Sequence, residues 1–172
     1  GKLPALRPPA AVQSAHLLSI DAATRRNLEL TRTLCGDREG SLLAVIDRTV
    51  TGAGARLLAT RLAAPATDPP VIRDRLDLVQ FFVEDSERRG ALRDLLNEAP
   101  DKARALARLS LGRGGPRDLA AVRDGLAAAE KVHALLASEG VLASLVVLCE
   151  PLVGHTTLVD ALAAALSEDL PH

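Results

Sequence analysis

The chain has 172 residues, a formal net charge of −1, 48% hydrophobic residues and 1% aromatic residues. This length suits one domain or a piece of a longer protein with a sizeable core, and the balanced charge provides no basic surface for nucleic acid or an anionic membrane. Because the two phenylalanines are the only rings, the core must be built from Leu, Val, Ile and Ala, which favours helices packed on helices.

The first part of the chain changes from a proline-rich segment to a helical pattern. Three prolines within residues 2–11 oppose helix and central strand, so residues 1–18 are predicted to be a linker from an upstream domain. Asp21 can cap a helix that continues toward Gly36. The short apolar run at residues 42–46 fits either a helix or a strand by periodicity, and we favour a helix.

Apolar residues spaced three and four apart predict further helices down the rest of the chain, separated by glycine and proline. The longest should begin at Pro116, directly after the glycines of "GRGGPRDL". The fold class is therefore predicted to be all-α, a helix bundle with at most a short strand at residues 17–20. The predicted helices cover residues 53–63, 70–84, 86–97, 101–111, 116–138 and a final segment from residue 157, with an apolar run at 141–148.

No cluster of residues suited to catalysis or cofactor binding is recognisable. In "TGAGAR" the glycine that a phosphate-binding loop would place third is Leu57, and the motif GxxxxGK[ST] is absent from the sequence. The histidines and the two cysteines lack metal-ligand spacing, and "GRGGPR" fits a turn better than a nucleic-acid segment. We therefore predict no catalytic residue, no bound cofactor or metal, and no enzyme activity in this chain.

Compartment and membrane signals are equally sparse. The lone Cys35 and Cys149 are typical of the reducing cytoplasm. We expect no membrane partner, because by this reading no apolar run approaches the roughly 18 residues that span a bilayer. Since the sequence contains no methionine, we expect it to be part of a longer protein.

Four segments occur in an order that is specific to one family of proteins. This set resembles the bacterial MutS family, the ATP-dependent DNA mismatch recognition proteins, and it covers most of the chain up to Leu126. The segments are "IDAATRRNLELT" at residues 20–31, "SLLAVIDRTVTGAGARLL" at 41–58, "RDRLDLVQFFVED" at 73–85 and "ARLSLGRGGPRDLAAVRDGL" at 107–126.

The resemblance implies that residues 19–172 form the portion of an elongated helical core, or lever, that precedes the clamp insertion, and that residues 1–18 arrive from the connector domain. In the family this lever couples the ATPase domain to a DNA clamp. The full-length protein would then use ATP and Mg, bind mismatched duplex DNA and a MutL-type partner, and form a homodimer in the cytoplasm. The runner-up interpretation is a free-standing helical adaptor that binds partner helices, followed by an enzyme of unknown type.

The opening segment of the resemblance carries the only predicted site. Arg25, Arg26 and Asn27 supply donors able to bond the carbonyl ends of neighbouring helices or the acidic groups of an adjoining domain. Leu28 and Leu30 should pack inward. We therefore predict an interdomain junction at residues 25–27, and the alternative is a solvated helix face without a role.

Overall fold

Helices account for nearly all of the regular structure in this computed structural model, which describes residues 16–137 and 141–167. Within those ranges there is no β-strand, and extended pairing is limited to one isolated antiparallel bridge between Leu17 and Ala66. The predicted all-α class is therefore confirmed. The helices are α1 (Ala22–Asn27), α2 (Leu42–Ile46), α3 (Gly52–Ala63), α4 (Pro69–Glu84), α5 (Ser86–Glu98), α6 (Lys102–Ser110), α7 (Pro116–Leu136), α8 (Ala143–Cys149), a 3-10 helix (Glu150–Leu152) and α9 (Thr156–Ala165).

The described residues divide into two compact units, and the division falls inside α4 between Asp77 and Leu78. The first unit contains α1, α2 and α3, and α2 packs against α3. The second unit contains the helices from α5 onward. Of the predicted linker, only residues 16–18 are described, and Leu18 donates its N–H to the carbonyl of Pro65 at 2.8 Å.

The second unit is organised around α7, which contacts α5, α6, α8, the 3-10 helix and α9. Val132 and Leu136 of α7 pack with Leu145 and Cys149 of α8 to form its buried core. Burial raises the pKa of the Cys149 thiol. Partly buried apolar residues surround this core, and they are Leu78, Phe81, Phe82, Leu92, Leu95, Leu96, Val141, Leu142 and Leu152.

Small residues let α6 and α7 approach each other closely. Ala105 of α6 is completely buried, and Ala120, Gly125 and Ala129 of α7 are also buried. A Cβ atom added at Gly125 would lie 3.0 Å from the Cβ of Lys102, which is tighter than ordinary van der Waals contact. A side chain larger than the hydrogen of glycine at position 125 would therefore force a local shift in the α6–α7 contact.

The turn between α6 and α7 is fixed by one ion pair and by glycine. Arg108 donates from Nε to Asp118 Oδ1 at 2.7 Å, and Asp118 Oδ2 accepts the backbone N–H of Gly115 at 3.1 Å. Asp118 thus caps the start of α7 while holding the last turn of α6. A Cβ atom at Gly114 would lie 2.9 Å from the Cα of Leu109, so this position lacks room for a side chain.

The apolar faces that residue spacing predicts on α4 and α7 differ in how far they are buried. On α7, Val122, Val132 and Leu136 are buried, and α9 packs against this helix. On α4 the residues that pack into the core are Leu78, Phe81 and Phe82. The regularly spaced apolar stripe of α4 is instead exposed, and it consists of Ile72, Leu76, Val79 and Val83.

The expectation that no apolar run approaches the length of a membrane span is wrong. The 23-residue stretch Ala143–Ala165 is long and apolar enough, by length and composition alone, to cross a membrane. The backbone nevertheless divides it into α8, a 3-10 helix and α9, with Gly154 in the left-handed region at φ 86°. Since α8 and α9 both pack against α7, the stretch is a pair of packed helices in this structure.

Replacing Gly114 with alanine should destabilise the chain by about 1–3 kcal/mol, the usual cost of forcing extra carbon into a packed site. The new Cβ would meet the backbone of Leu109 as well as its side chain. Gly90→Ala is the matched control, because that helical position has open space around it, and it should stabilise by up to about 1 kcal/mol. Urea unfolding of both variants checks this, and equal effects would contradict the close contact at Gly114.

Substituting Asp118 with asparagine should lower the free energy of unfolding at neutral pH, and the loss should become smaller in acid. The hydrogen bonds from Arg108 and then from the Gly115 N–H lower the pKa of Asp118. A lowered folded-state pKa stabilises fully above the unfolded carboxyl pKa of about 3.9, and this contribution is lost as pH falls through the folded value. Unfolding curves at pH 7 and about pH 2.5 test this. The exposed Asp124→Asn change serves as the control, and a pH-independent loss would argue against the pairing.

Candidate junction site

The predicted junction residues lie at the end of a short, well-capped helix. Asp21 accepts the backbone N–H of Thr24 at 2.9 Å and its hydroxyl at 2.7 Å. These hydrogen bonds lower the pKa of the Asp21 carboxyl. The N-cap therefore begins α1 at Ala22, and Arg25 and Arg26 fall in its last turn.

Arg25 joins the segment before α1 to the end of α3. Its Nη2 donates to the carbonyl oxygens of Ile20 and Ala63, each at 3.3 Å. Ala63 is the last residue of α3, where carbonyl groups lack partners within the helix and a cation is favourable. Arg25 thus caps a helix 38 residues away along the chain.

Backbone hydrogen bonds support the same joint. The Thr67 N–H donates to the carbonyl of His16 at 3.0 Å, and the Leu18 N–H donates to Pro65 at 2.8 Å. These two bonds flank the Leu17–Ala66 bridge. The segment that precedes α1 is therefore tied to the segment that follows α3 by main chain as well as by Arg25.

The other two predicted junction residues, Arg26 and Asn27, are exposed at the end of α1. The leucines that follow differ from the expectation that both pack inward. Leu30 is buried, but Leu28 is 56% exposed, so that part of the prediction is wrong. The reason is local: Leu28 is the C-cap of α1, and the chain turns immediately after it.

Glu29 causes that turn, and the sequence carried no signal for it. Its φ of 47° places a non-glycine residue in the left-handed region, which costs on the order of 1 kcal/mol. Its Oε1 accepts the Leu34 N–H at 2.6 Å, and its carbonyl accepts the Leu42 N–H at 3.0 Å. The predicted helix toward Gly36 therefore ends at Asn27, and the chain continues as a loop tied to α2.

The loop closes on a buried hydroxyl and an ion pair. Ser41, which is fully buried, donates from Oγ to the Arg38 carbonyl at 2.6 Å and accepts the Ala44 N–H at 3.3 Å. Arg38 pairs with Asp47 at 2.6 Å. Hydrogen bonds from the hydroxyl and N–H of Thr49, followed by the charge of Arg38, lower the pKa of Asp47. This loop is therefore held mainly by polar contacts.

The glycines of "TGAGAR" serve helix capping. Thr51 is the N-cap of α3, and its Oγ1 accepts the Gly54 N–H at 2.9 Å. A Cβ atom at Gly54 would lie only 2.9 Å from that hydroxyl oxygen. In the part of the chain that the structure describes, no group of three His, Cys, Asp or Glu residues is placed to hold a metal ion.

Comparison with known proteins gives one consistent result. The family description "MutS domain III" matches residues 23–172. The chain is 55% identical to the DNA mismatch repair protein MutS of Rhodopseudomonas palustris (strain BisB5), and the alignment covers 99% of this chain and 19% of that protein. It is 53% identical to the protein of the same name from Nitrobacter winogradskyi, with 99% of this chain and 20% of that protein covered.

A third relative, the DNA mismatch repair protein MutS of Bradyrhizobium sp. (strain ORS 278), is 60% identical over 76% of this chain and 14% of its own length. The chain thus spans about one fifth or less of the length of these curated relatives. The junction residues Arg25, Arg26 and Asn27 lie within the matched range. The chain therefore belongs to the MutS family of DNA mismatch repair proteins, in which it corresponds to domain III.

Proposed function

We propose that this chain is a mechanical segment of a mismatch-recognition ATPase, which couples the ATPase domain to the DNA clamp and performs no chemistry of its own. The observation that carries the proposal is the Arg25 joint, in which one side chain holds the carbonyls of Ile20 and Ala63 together. A joint of this kind makes the segment before α1 and the end of α3 move as one piece. Such continuity is what a force-transmitting element needs.

The second unit supplies a rigid rod. With 21 residues, α7 is a helix about 32 Å long. Several other helices of the second unit contact it. Packed helix interfaces change between discrete arrangements and do not deform continuously. A displacement applied at one end of α7 is therefore expected to reach the other end with little loss.

Arg26 and Asn27 give this joint an outward face. Both side chains are exposed next to Arg25, and they carry donors suited to carbonyl ends of helices or to carboxylates. In the proposed function they contact an adjoining domain of the longer protein. The alternative, a solvated face without a role, predicts that their removal has no effect on coupling.

The activity of the longer protein is part of the same proposal. The relatives are named DNA mismatch repair proteins, and this supports a parent that binds mismatched duplex DNA. By the family resemblance, that parent would bind ATP and Mg in another domain, act with a MutL-type partner, and work as a homodimer in the cytoplasm. None of these ligands is assigned to a residue of this chain.

In the full-length parent, Arg25→Ala and Arg26→Ala should each weaken the coupling between ATP turnover and DNA release. Residues along a coupled network typically change coupling energy by about 0.5–2 kcal/mol, or roughly 2- to 30-fold. The measurements are ATP hydrolysis with and without a mismatched duplex and the lifetime of the DNA complex.

The exposed Arg73→Ala change is the matched control, because it removes one arginine side chain from a different helix, α4. Thermal unfolding must stay close to that of the unmodified protein for the comparison to count. Unchanged coupling in both the Arg25→Ala and the Arg26→Ala variant would contradict the junction proposal. A change with Arg25→Ala alone would restrict the junction to the internal joint and leave Arg26 on a solvated face.

The 172-residue chain by itself should hydrolyse no ATP and should bind duplex DNA only weakly. It contains no GxxxxGK[ST] loop, and its net charge of −1 offers little counterion release on contact with phosphates. A phosphate-release assay and a filter-binding titration at two salt concentrations check this. Submicromolar, salt-sensitive affinity for a mismatched duplex would contradict it.

A further inference from the structure

The corner between α4 and α5 is a connection of a single residue. α4 ends at Glu84 and α5 begins at Ser86, so Asp85 alone joins the two helices, with φ −104° and ψ 82°. Because one residue has only two soft backbone dihedrals, the angle between the helices depends on contacts made across the corner. Both helices contribute residues to the packing around the core of the second unit, so the same angle determines how α4 is seated on that core.

Arg89 of α5 reaches back across the corner to the end of α4. Its Nη1 donates to the carbonyl oxygen of Phe82 at 2.5 Å and to that of Val83 at 3.2 Å. Carbonyl groups in the last turn of a helix lack partners within the helix, and a cation is favourable there. The Phe81 carbonyl accepts the N–H of Asp85 at 3.2 Å. Arg89 therefore binds the next two acceptors of that turn.

Arg88, the preceding residue, holds the same corner through its guanidinium. The guanidinium carbon lies 5.2 Å from the ring centroid of Phe81, within the range of a cation–π contact. Its Nε lies 3.3 Å from Asp85 Oδ2, and Asp85 Oδ1 accepts the Arg88 N–H at 2.9 Å. Two adjacent arginines of α5 therefore bind a ring and the carbonyl end of α4.

The other end of α4 lacks comparable support. Residues 69–77 are exposed, except for the half-buried Arg75. The residues of α4 that pack around the core are Leu78, Phe81 and Phe82, in the second half of the helix. α4 is therefore held in the second unit at its C-terminal end, next to the arginine corner.

We propose that Arg89 is a positioning residue for mechanical coupling, which locks the end of α4 to α5 so that a displacement of α4 moves α5 and α7 with it. This inference rests on the proposed function and adds a second joint to it. In both joints an arginine binds the carbonyl end of a helix, since Arg25 holds Ala63 at the end of α3. α5 packs directly against α7, which gives the second joint a route to the rod.

The hydrogen bonds themselves are tested in the complete 172-residue chain. Arg89→Met keeps an apolar stem at this position and removes the donors. Arg89→Lys keeps a donor, and because both bonds come from one nitrogen, an ammonium group can replace it. The carbonyl carbon chemical shifts of Phe82 and Val83 should change in Arg89→Met and return toward their original values in Arg89→Lys, since a hydrogen bond polarises its acceptor. Unchanged shifts in Arg89→Met would overturn the inference.

The coupling role is tested with the same two variants of the full-length parent. Arg89→Met should weaken the coupling between ATP turnover and DNA release by roughly 2- to 30-fold, as residues in a coupled network do, and Arg89→Lys should restore most of it. The matched control is Arg113→Met, which changes an exposed arginine between α6 and α7 and should leave coupling unchanged. ATP hydrolysis with and without a mismatched duplex, the lifetime of the DNA complex and thermal unfolding are measured for each variant.

Thermal unfolding separates coupling from stability. A lower unfolding temperature with unchanged coupling in Arg89→Met would reduce Arg89 to a stabilising contact and overturn the inference. Equal losses of coupling in Arg89→Met and Arg89→Lys, or in Arg89→Met and Arg113→Met, would overturn it as well. If Arg25→Ala changes coupling and Arg89→Met does not, the first joint stands and only the second fails. If neither changes coupling, the proposed function is contradicted and this inference falls with it.

Discussion

Close approach between α6 and α7 is the constraint on which the second unit depends. With two phenylalanines as its only rings, the chain cannot fill wide gaps between helices, so short side chains must bring the helices together. Complete burial of Ala105 and the absence of a side chain at Gly125 provide that closeness. The ion pair from Arg108 to Asp118 then fixes the turn that sets the spacing. The remaining helices pack on a rod whose position is already determined.

The first unit is held together in a different way. Its helices are short, and α1 buries no residue, so polar contacts do much of the work that apolar packing does elsewhere. A fully buried Ser41, a left-handed Glu29 and the guanidinium of Arg25 each satisfy main-chain groups that the loops leave open. Hydrogen bonds are directional, so this unit keeps specific angles between its segments. Hydrogen bonds therefore hold the geometry of a joint more specifically than apolar packing does.

Helix boundaries were predictable from the sequence where neighbouring residues determine them. The longest helix was expected at residues 116–138 and lies at Pro116–Leu136, and the helix expected at 53–63 lies at Gly52–Ala63, because glycine, proline and capping residues mark those ends. Contacts between distant residues were not predictable. The sequence indicated that Arg25 could bond a helix end, but Ala63 as the acceptor follows only from the fold. The early end of α1 depends on Glu29 adopting a conformation that its residue type disfavours. Exposure of Leu76 and Val79 likewise depends on tertiary packing.

The two cysteines differ in a way that makes the chain suitable for spectroscopy. Cys149 is buried in the core and its thiol pKa is raised, which suppresses the thiolate needed for alkylation, whereas Cys35 is exposed. A maleimide dye or spin label should therefore attach at Cys35 without any engineered substitution. Cys35 lies in the same loop as Arg32 and Arg38, so the label would report on that loop directly. Distances from this position to a second probe elsewhere in the longer protein would report how this loop is placed relative to that probe.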